Sequence, residues 1–325
     1  MIKKEKRTKK IHYKLASVGT GKITLQTYVD LALKKLPKPA NRLEHIDTNG
    51  LIQRVINSSK KQSNITFGQM ILFEKGKDQN IVVINDDITE YPVEQFKIPK
   101  RKDGKSQEAI ESVLYFGILE NHVIVVQSSA LRARDLERHL EWLTSQKALV
   151  FPKNSAILLS DKPSQEAMKK IERQPIKKVS IGAELRAEPD EEIEKNGLSA
   201  KKIKFHPTGD GFEILKAALG AGFIDNLKLE DALEDANLKV SLEVSYFRKT
   251  TKRASSVLSN IATAMRHADP DDVRIELDNG TILKGKDIKM SSDITVDTIN
   301  GIADSNDLYS EMGKWLLEQA QQGTI

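Results

Sequence analysis

The residues of this chain that could do chemistry are a glycine-bearing loop, histidines and clustered carboxylates. The segment Val18-Gly19-Thr20-Gly21-Lys22 lies between a predicted strand and a predicted helix, which is the place of a phosphate-binding loop. It lacks the spacing G-x-x-x-x-G-K-[ST], and Ile23 stands where a hydroxyl would hold magnesium. We therefore interpret the segment as a plain strand-to-helix turn and predict no cofactor.

The histidines and carboxylates form no recognisable catalytic pattern. None of the six histidines has the i, i+4 spacing of a zinc-protease helix, and no G-x-S-x-G elbow is present. We predict no catalytic residues and no metal site, and we expect that the protein is not an enzyme. A metal-dependent nuclease stays open as an alternative. Such an enzyme needs carboxylates that converge on a metal ion. Two clusters could supply them, although both fall where solvated turns are expected: Asp86, Asp87 and Glu90, and Asp269, Asp271 and Asp272.

Lysine and arginine are concentrated in four segments that together predict a DNA interface. Cations neutralise phosphates and release counterions, which favours binding without reading the sequence. The segments are an N-terminal run, a polar loop, the start of a helix and a strand-to-helix junction. The predicted DNA-binding residues are Lys3, Lys4, Lys6, Arg7, Lys9, Lys10, Lys100, Arg101, Lys102, Lys105, Arg132, Arg134, Arg138, Arg248, Lys249, Lys252 and Arg253.

The distribution of charge along the chain supports a DNA interface more strongly than the net charge does. The net charge is only +5, and lysine runs are commonly solvated surface; the run at 3–10 has the composition of a flexible arm. The acidic residues, however, gather elsewhere, at 188–194 and 225–235, as an electrostatic footprint requires. Because the chain contains no zinc finger, basic zipper or convincing helix-turn-helix, binding is expected to involve the DNA backbone with little sequence preference.

The composition favours a folded protein and is compatible with a reducing compartment. Of the 325 residues, 39% are hydrophobic and 30% are charged, a balance that can bury a core. The absence of cysteine excludes iron–sulfur clusters, cysteine-ligated zinc and disulfides. Aromatic residues make up only 5%, so large stacking platforms for single strands are not expected. We expect a cytoplasmic protein that does not span a membrane, because the chain lacks a long apolar run and a signal-peptide core.

The hydrophobic pattern predicts an α+β fold with mixed or antiparallel sheets, flanking helices and two domains. Helices are expected at 24–36, 131–149, 252–266 and 302–320. Strands are expected at 11–18, 51–56, 65–73, 81–84, 113–119, 123–126, 238–246, 273–277 and 282–285.

Two further features of the pattern concern hairpins and domains. The turn residues at 76–80 predict a hairpin between the strand before them and 81–84. The acidic, proline-bearing stretch near residue 190 predicts a boundary between an N-terminal domain with a basic arm, 1–190, and a C-terminal domain, 191–325.

The order of these elements resembles that of the RexA family of phage-exclusion proteins. The resemblance begins in the stretch 13–36 and continues through SVLYFGILENHVIVVQSSALRARDLERHL at 112–140. It includes FEILKAALGAG, LEVSYFRKTTKRASSVLSNI and RIELDNGTILKG, and it ends in a C-terminal helix. It covers most of the chain and rests on order and composition, since no short signature is present.

The resemblance implies a homodimer that binds DNA with little sequence preference and defends against superinfecting phage. It also implies a separate membrane-protein effector, and a DNA-contact role for Arg248, Lys249, Lys252 and Arg253. The chain is longer than the family pattern, with an inserted stretch around 175–204, which puts the domain boundary in doubt. A defence protein of the KwaB type would show a similar order, and a protein-interaction scaffold that meets an acidic protein or anionic lipid is a third alternative.

Overall fold

A computed structural model describes residues 4–19, 23–84, 89–99, 101, 103, 106–152, 155–162, 169–170, 173–174, 176–184, 186–189, 205–208, 239–245, 273–284 and 289–325. These residues form an α+β fold in which all strand pairings are antiparallel. The predicted α+β class, with antiparallel sheets and flanking helices, is therefore confirmed.

The helices and strands of the described residues follow in chain order. The helices are α1 (Leu25–Lys35), α2 (Ala133–Glu141) and α3 (Ser305–Gln321), with a 3-10 turn at Pro39–Arg42 and a π-helical turn at Trp142–Lys147. The strands are β1 (Lys4–Val18), β2 (Glu44–His45), β3 (Ile52–Gln62), β4 (Ile65–Glu74), β5 (Gln79–Val82), β6 (Val93–Phe96), β7 (Ile110–Leu119), β8 (His122–Val126), β9 (Ile157–Ser160), β10 (Ile176–Glu184), β11 (Arg186–Pro189), β12 (Phe205–Thr208), β13 (Lys239–Ser245), β14 (Val273–Leu277), β15 (Ile282–Lys284), β16 (Ser291–Ile299) and β17 (Ile302–Ala303).

The main sheet is organised around the long strand β1. Its strand order is β17-β16-β1-β8-β7-β4-β3-β2, and β9 pairs with β1 as well. On one side, β1 pairs with β8 over four residues only. On the other side, β1 pairs first with β16 and then with β9, so these two strands lie end to end along β1. The N–H of Met290 donates to the carbonyl of Lys162 at 3.0 Å where β9 gives way to β16.

The chain divides into two compact units, and the second is inserted into the first. One unit contains Met1–Lys162 with Met290–Ile325, and the other contains Pro163–Lys289. Within the inserted unit, the described strands form the sheet β13-β10-β14-β15 and the pair β11-β12. This division differs from the predicted domains 1–190 and 191–325, because β16 and α3 complete the first unit. The predicted boundary at residue 190 itself lies outside the described residues.

Two apolar clusters cover opposite faces of the main sheet. The first packs α1 and α2 against the even-numbered β1 residues Ala16 and Val18. The second packs α3 against the odd-numbered β1 residues Ile11 and Tyr13. Because side chains alternate along a strand, the parity of a β1 residue tells which helices share its face.

Most of the predicted elements within the described residues are confirmed, at closely similar positions. The helices predicted at 24–36, 131–149 and 302–320 correspond to α1, α2 and α3, and the Thr24 hydroxyl accepts the N–H of Thr27 as a cap of α1. The hairpin of β7 and β8, the alternating strand β13 and the hairpin of β14 and β15 are also present. The predicted helix at 252–266 lies outside the described residues.

The N-terminal basic run is not a flexible arm from residue 4 onward. Lys4 to Lys10 pair one by one with Ile299 to Asp293 of β16. Ile294 and Val296 of β16 are buried in the α3 cluster, and they anchor this two-stranded ribbon to the core. The run was misjudged because it has no apolar alternation of its own, and its partner strand comes near the end of the chain.

The hairpin predicted at 81–84 is also wrong in its pairing. Residues of β5 pair with β6 in a separate two-stranded sheet, and not with β4. The physical reason is that β4 already pairs with β3 on one edge and with β7 on the other. No edge of β4 is left for a third strand.

Candidate nucleic-acid interface

The basic run forms one strand whose cations point to both faces of the ribbon. We call Lys4, Lys6, Arg7, Lys9 and Lys10 of β1 the basic strand. The even-numbered members share the face of β1 that packs against α1 and α2 farther along, and the odd-numbered members share the α3 face. Side chains on one face are spaced by about 7 Å, twice the rise per residue of a strand.

Few of these cations are held by carboxylates. Arg7 Nη2 lies 2.5 Å from Glu5 Oε1, and Lys10 Nζ lies 4.0 Å from Asp293 Oδ1. The side chains of Arg7 and Lys10 are both more than half exposed. Within the described residues, Lys4, Lys6 and Lys9 make no ion pair. Exposed ion pairs contribute little to stability, so a phosphate can replace these partners at small cost.

Carboxylates nevertheless lie beside the basic strand. Lys6 is directly opposite Asp297 of β16, and Lys10 is directly opposite Asp293. A cavity of about 320 Å³ at the end of the ribbon is lined by Lys4 and Lys6, but also by Glu5, Asp297 and Asp304. Phosphate contacts are therefore expected from the open edge and face of β1, and not from this cavity.

The start of α2 carries the second set of predicted residues, and its backbone amides are already bonded. Ser128 Oγ accepts from Leu131 N at 3.2 Å. Asp135 Oδ2 accepts from Arg132 N at 2.9 Å, and Gln127 Oε1 accepts from Ala133 N at 2.8 Å. The sequence suggested that these amides could receive a phosphate oxygen. A phosphate oxygen would have to displace an existing bond at each of these three amides, so contacts are expected from the guanidinium groups.

The three arginines of this segment differ in exposure. Arg138 is exposed, whereas Arg132 and Arg134 are half-buried. The apolar side of α2, with Leu136 and Leu140, lies in the same cluster as Ala16 and Val18 of β1. The arginines therefore lie on the same side of the sheet as Lys4, Lys6 and Lys10.

A buried polar network holds α2 against the far edge of the sheet. Arg54 of β3 donates to both carboxylate oxygens of Glu44, with Nε–Oε2 at 2.7 Å and Nη2–Oε1 at 3.0 Å. His139 of α2 is fully buried, and its Nδ1 lies 2.6 Å from Glu44 Oε2. Arg54 Nη1 also lies 3.7 Å from Asp135, which caps α2. The network thus positions the helix that carries the arginines.

Opposing effects set the pKa values in this network. Burial lowers the pKa of His139, although its hydrogen bond to Glu44 works the other way. Burial alone would raise the pKa of Glu44, but the hydrogen bonds from His139 and Arg54 outweigh it and lower that pKa. His139 is therefore neutral with its proton on Nδ1, and Glu44 is charged.

Sequence reasoning missed two buried groups near the basic strand. Lys14 Nζ lies 2.6 Å from Asp161 Oδ1, with side chains only 5% and 10% exposed, so this lysine is a structural cation. A signal existed, because a charged residue inside the apolar run Ile11–Val18 needs a buried partner. Tyr13 Oη lies 2.7 Å from His122 Nδ1, and burial raises the pKa of Tyr13 to about 12.

Of the remaining predicted residues, Arg101 is the one that lies within the described part of the chain. Arg101 Nε lies 3.2 Å from Asp103 Oδ1 in the loop after β6. Lys3, Lys100, Lys102, Lys105, Arg248, Lys249, Lys252 and Arg253 lie outside the described residues.

Neither metal-binding clusters nor membrane helices occur in the part of the chain that the structure describes. No group of three or more histidine, aspartate or glutamate residues there could hold a metal ion. Glu90 is exposed, and the other five carboxylates considered for a nuclease lie outside that part. No helix there is long and apolar enough to cross a membrane. No protein-family model matches the chain, and no curated protein matches it significantly.

Proposed function

We propose that the protein binds the backbone of DNA with little sequence preference, through the basic strand and the arginines of α2. The observation that carries the proposal is the open row of Lys4, Lys6 and Lys10 on one face of β1. The arginines of α2 lie on the same side of the sheet. Asp293 and Asp297 alternate with these lysines across the ribbon, so we expect a moderate affinity that depends strongly on salt.

The proposal is tested by neutralising the row of lysines. In Lys4→Gln/Lys6→Gln/Lys10→Gln, the negative slope of log affinity for duplex DNA against log salt should become shallower by about 0.9 for each lysine that contacts a phosphate. Fluorescence anisotropy with a labelled duplex at several salt concentrations measures this slope.

The control has the same change in charge at three other exposed lysines. Lys34→Gln/Lys38→Gln/Lys75→Gln should keep the slope of the unmodified protein, because these lysines belong to α1, to the turn after it and to the turn that follows β4, and not to the basic strand. Equal slopes in the two triple variants would reject a DNA contact at β1. An affinity that does not depend on salt would reject the phosphate-contact mechanism as a whole.

We further propose that this DNA binding serves defence against phage in the cytoplasm, as a homodimer that acts through a separate membrane-protein effector. The support is the resemblance to the RexA family in the order of elements. The same triple variant provides the test, because cells that carry it should lose protection in a phage plating assay. Full protection by the triple variant, despite weakened DNA binding, would show that the defence role does not depend on DNA binding.

A further inference from the structure

One strand of the main sheet ends long before its two neighbours do. β8 ends at Val126, which pairs with Tyr115 of β7, and the preceding residue, Val125, pairs with His12 of β1. Beyond that end, β1 continues through residues 4–11 and β7 continues through residues 110–114. On the side that β8 would occupy, neither extension pairs with any strand of the described residues. The sheet therefore has a slot, bordered on both sides by strand edges.

Backbone groups of β1 point into this slot at every second residue. Tyr13 N donates to Met290 O at 3.0 Å, and the register of β1 against β16 has no shift. The backbone groups of the odd-numbered β1 residues therefore form the hydrogen bonds to β16. Asp297 lies opposite Lys6; its N–H donates to Asp307 of α3 and its carbonyl accepts from Asp304, the N-cap of α3, which confirms this parity. The N–H and C=O groups of Lys6, Thr8 and Lys10 consequently face the slot.

The chain that leaves β8 occupies only the inner end of the slot. Ser128 remains near β7, with its Oγ 2.5 Å from Ser112 Oγ. Ser128 N then donates to Leu131 O at 3.0 Å, and this turn carries the chain away into α2. The hydrogen bonds of Gln127 and Asp135 to the first amides of α2 hold the turn in that position.

The charges along the slot indicate which kind of strand can occupy it. A second copy of β1 would place lysines against lysines, and like charges directly opposite each other destabilise a strand pair. On the β7 border, Glu111 is bound by Lys77 at 2.5 Å, so the cations of the basic strand dominate. Ile110 on the same border is 57% exposed and offers an apolar contact.

We propose that the slot receives an extended, acidic segment of a partner protein, which adds as a strand between β1 and β7. Its backbone would bond to Lys6, Thr8 and Lys10 on one edge and to β7 on the other. Carboxylates on one face of the added strand would meet either Lys6 and Lys10 or Arg7 and Lys9. Main-chain bonds supply the affinity in this mode of recognition, and side chains supply the choice of partner. The proposal does not depend on DNA binding.

Amide hydrogen exchange of the full chain tests the slot first. The amides of Lys6, Thr8 and Lys10 should exchange fast, while those of Arg7 and Lys9, bonded to β16, should exchange slowly. Equal protection of the two sets in the free protein would mean that the slot is already filled, and it would overturn the proposal.

The second measurement uses a labelled peptide in which glutamate and valine alternate. It should bind, and it should slow the exchange of Lys6, Thr8 and Lys10. N-methylation of alternate backbone nitrogens keeps the charge but removes the bonds of one edge, so it should weaken binding by about tenfold, the loss expected for one or two hydrogen bonds. Equal binding of the methylated peptide would show attraction by charge alone and would overturn the proposal.

A matched pair of variants locates the peptide. Thr8→Pro removes an amide that faces the slot, and should weaken peptide binding by about tenfold. Thr295→Pro removes the corresponding amide on the outer edge of β16, directly opposite, and should leave peptide binding unchanged. Thr8→Pro should also keep its affinity for duplex DNA, because every cation is retained. Equal peptide binding by the two variants would overturn the proposal.

Discussion

At the scale of single residues, the fully buried His139 is sensitive to its protonation state. Its ring stacks on Trp142 with centroids 5.4 Å apart, and its Nε2 has no hydrogen-bond partner among the described residues. The nearby guanidinium groups of Arg54 and Arg42 oppose a second proton on the ring. Protonation would keep the bond to Glu44 but would bury a charged ring whose Nε2–H has no partner among the described residues.

The protein should lose stability as the pH falls from 7 toward 5. The folded-state pKa of His139 lies below its ordinary value, so the unfolded chain takes up the proton first. The stabilisation is therefore present above the unfolded pKa of about 6.5 and is lost as the pH falls through the folded pKa, by about 1.4 kcal/mol for each unit of lowering. Urea unfolding at a series of pH values measures this loss.

The variant His139→Gln should make the urea midpoint less dependent on pH in this window. The amide of glutamine can still donate to Glu44, but it does not titrate. His122, whose pKa burial also lowers, accounts for a remaining dependence of the same sign. An unchanged pH dependence in His139→Gln would show that His139 is not the group responsible.

At the scale of elements, β4 and β7 pair through a reciprocal arrangement of phenylalanine and glycine. Phe67 is directly opposite Gly117, and Gly68 is directly opposite Phe116. A Cβ on Gly117 would lie 2.8 Å from the Phe67 ring, and a Cβ on Gly68 would overlap the Phe116 ring. The rings lie in the two apolar clusters, Phe116 with α1 and α2 and Phe67 with α3. The centre of the sheet is therefore closely packed on both faces.

Gly68→Ala and Gly117→Ala should each destabilise the protein by about 1–3 kcal/mol, the usual cost of overpacking a core. Chemical denaturation measures the loss. In Gly68→Ala/Phe116→Leu, the smaller side chain makes room for the new methyl group, so the double variant should lose less than the sum of the single variants. Strict additivity would show that the Phe116 ring does not cause the loss.

The elements that the sequence predicted well are those whose signals are local. The β7–β8 hairpin has two apolar runs around a short turn, and α1 has a capping threonine and a proline after its end. The β1–β16 ribbon was missed because its partners come from opposite ends of the chain. The basic residues of β1 were identified from composition, but their carboxylate neighbours Asp293 and Asp297 could be identified only from the register.

At the scale of the whole molecule, the chain of the first unit is interrupted by an insertion between β9 and β16, two strands of its main sheet. The two ends of the insertion are adjacent, because Met290 N bonds to Lys162 O at 3.0 Å. The junction is also fixed from the side: Lys162 Nζ donates to Thr324 O at 2.8 Å, and Asp161 binds the buried Lys14 at 2.6 Å. Contacts within the first unit therefore hold the two ends of the insertion together.

Replacing 163–289 with a short glycine–serine linker should consequently leave a first unit that folds on its own. Closing so short a gap costs little conformational entropy, and both apolar clusters remain complete. The matched comparison is the fragment 1–190, which keeps β1 but lacks β16 and α3. That fragment exposes Ile11, Tyr13 and Phe67, and each large side chain left uncovered costs about 1.5–3 kcal/mol. Circular dichroism and urea unfolding should show a cooperative transition for the linked unit and none for the fragment, whereas the opposite result would place the domain boundary near residue 190 after all.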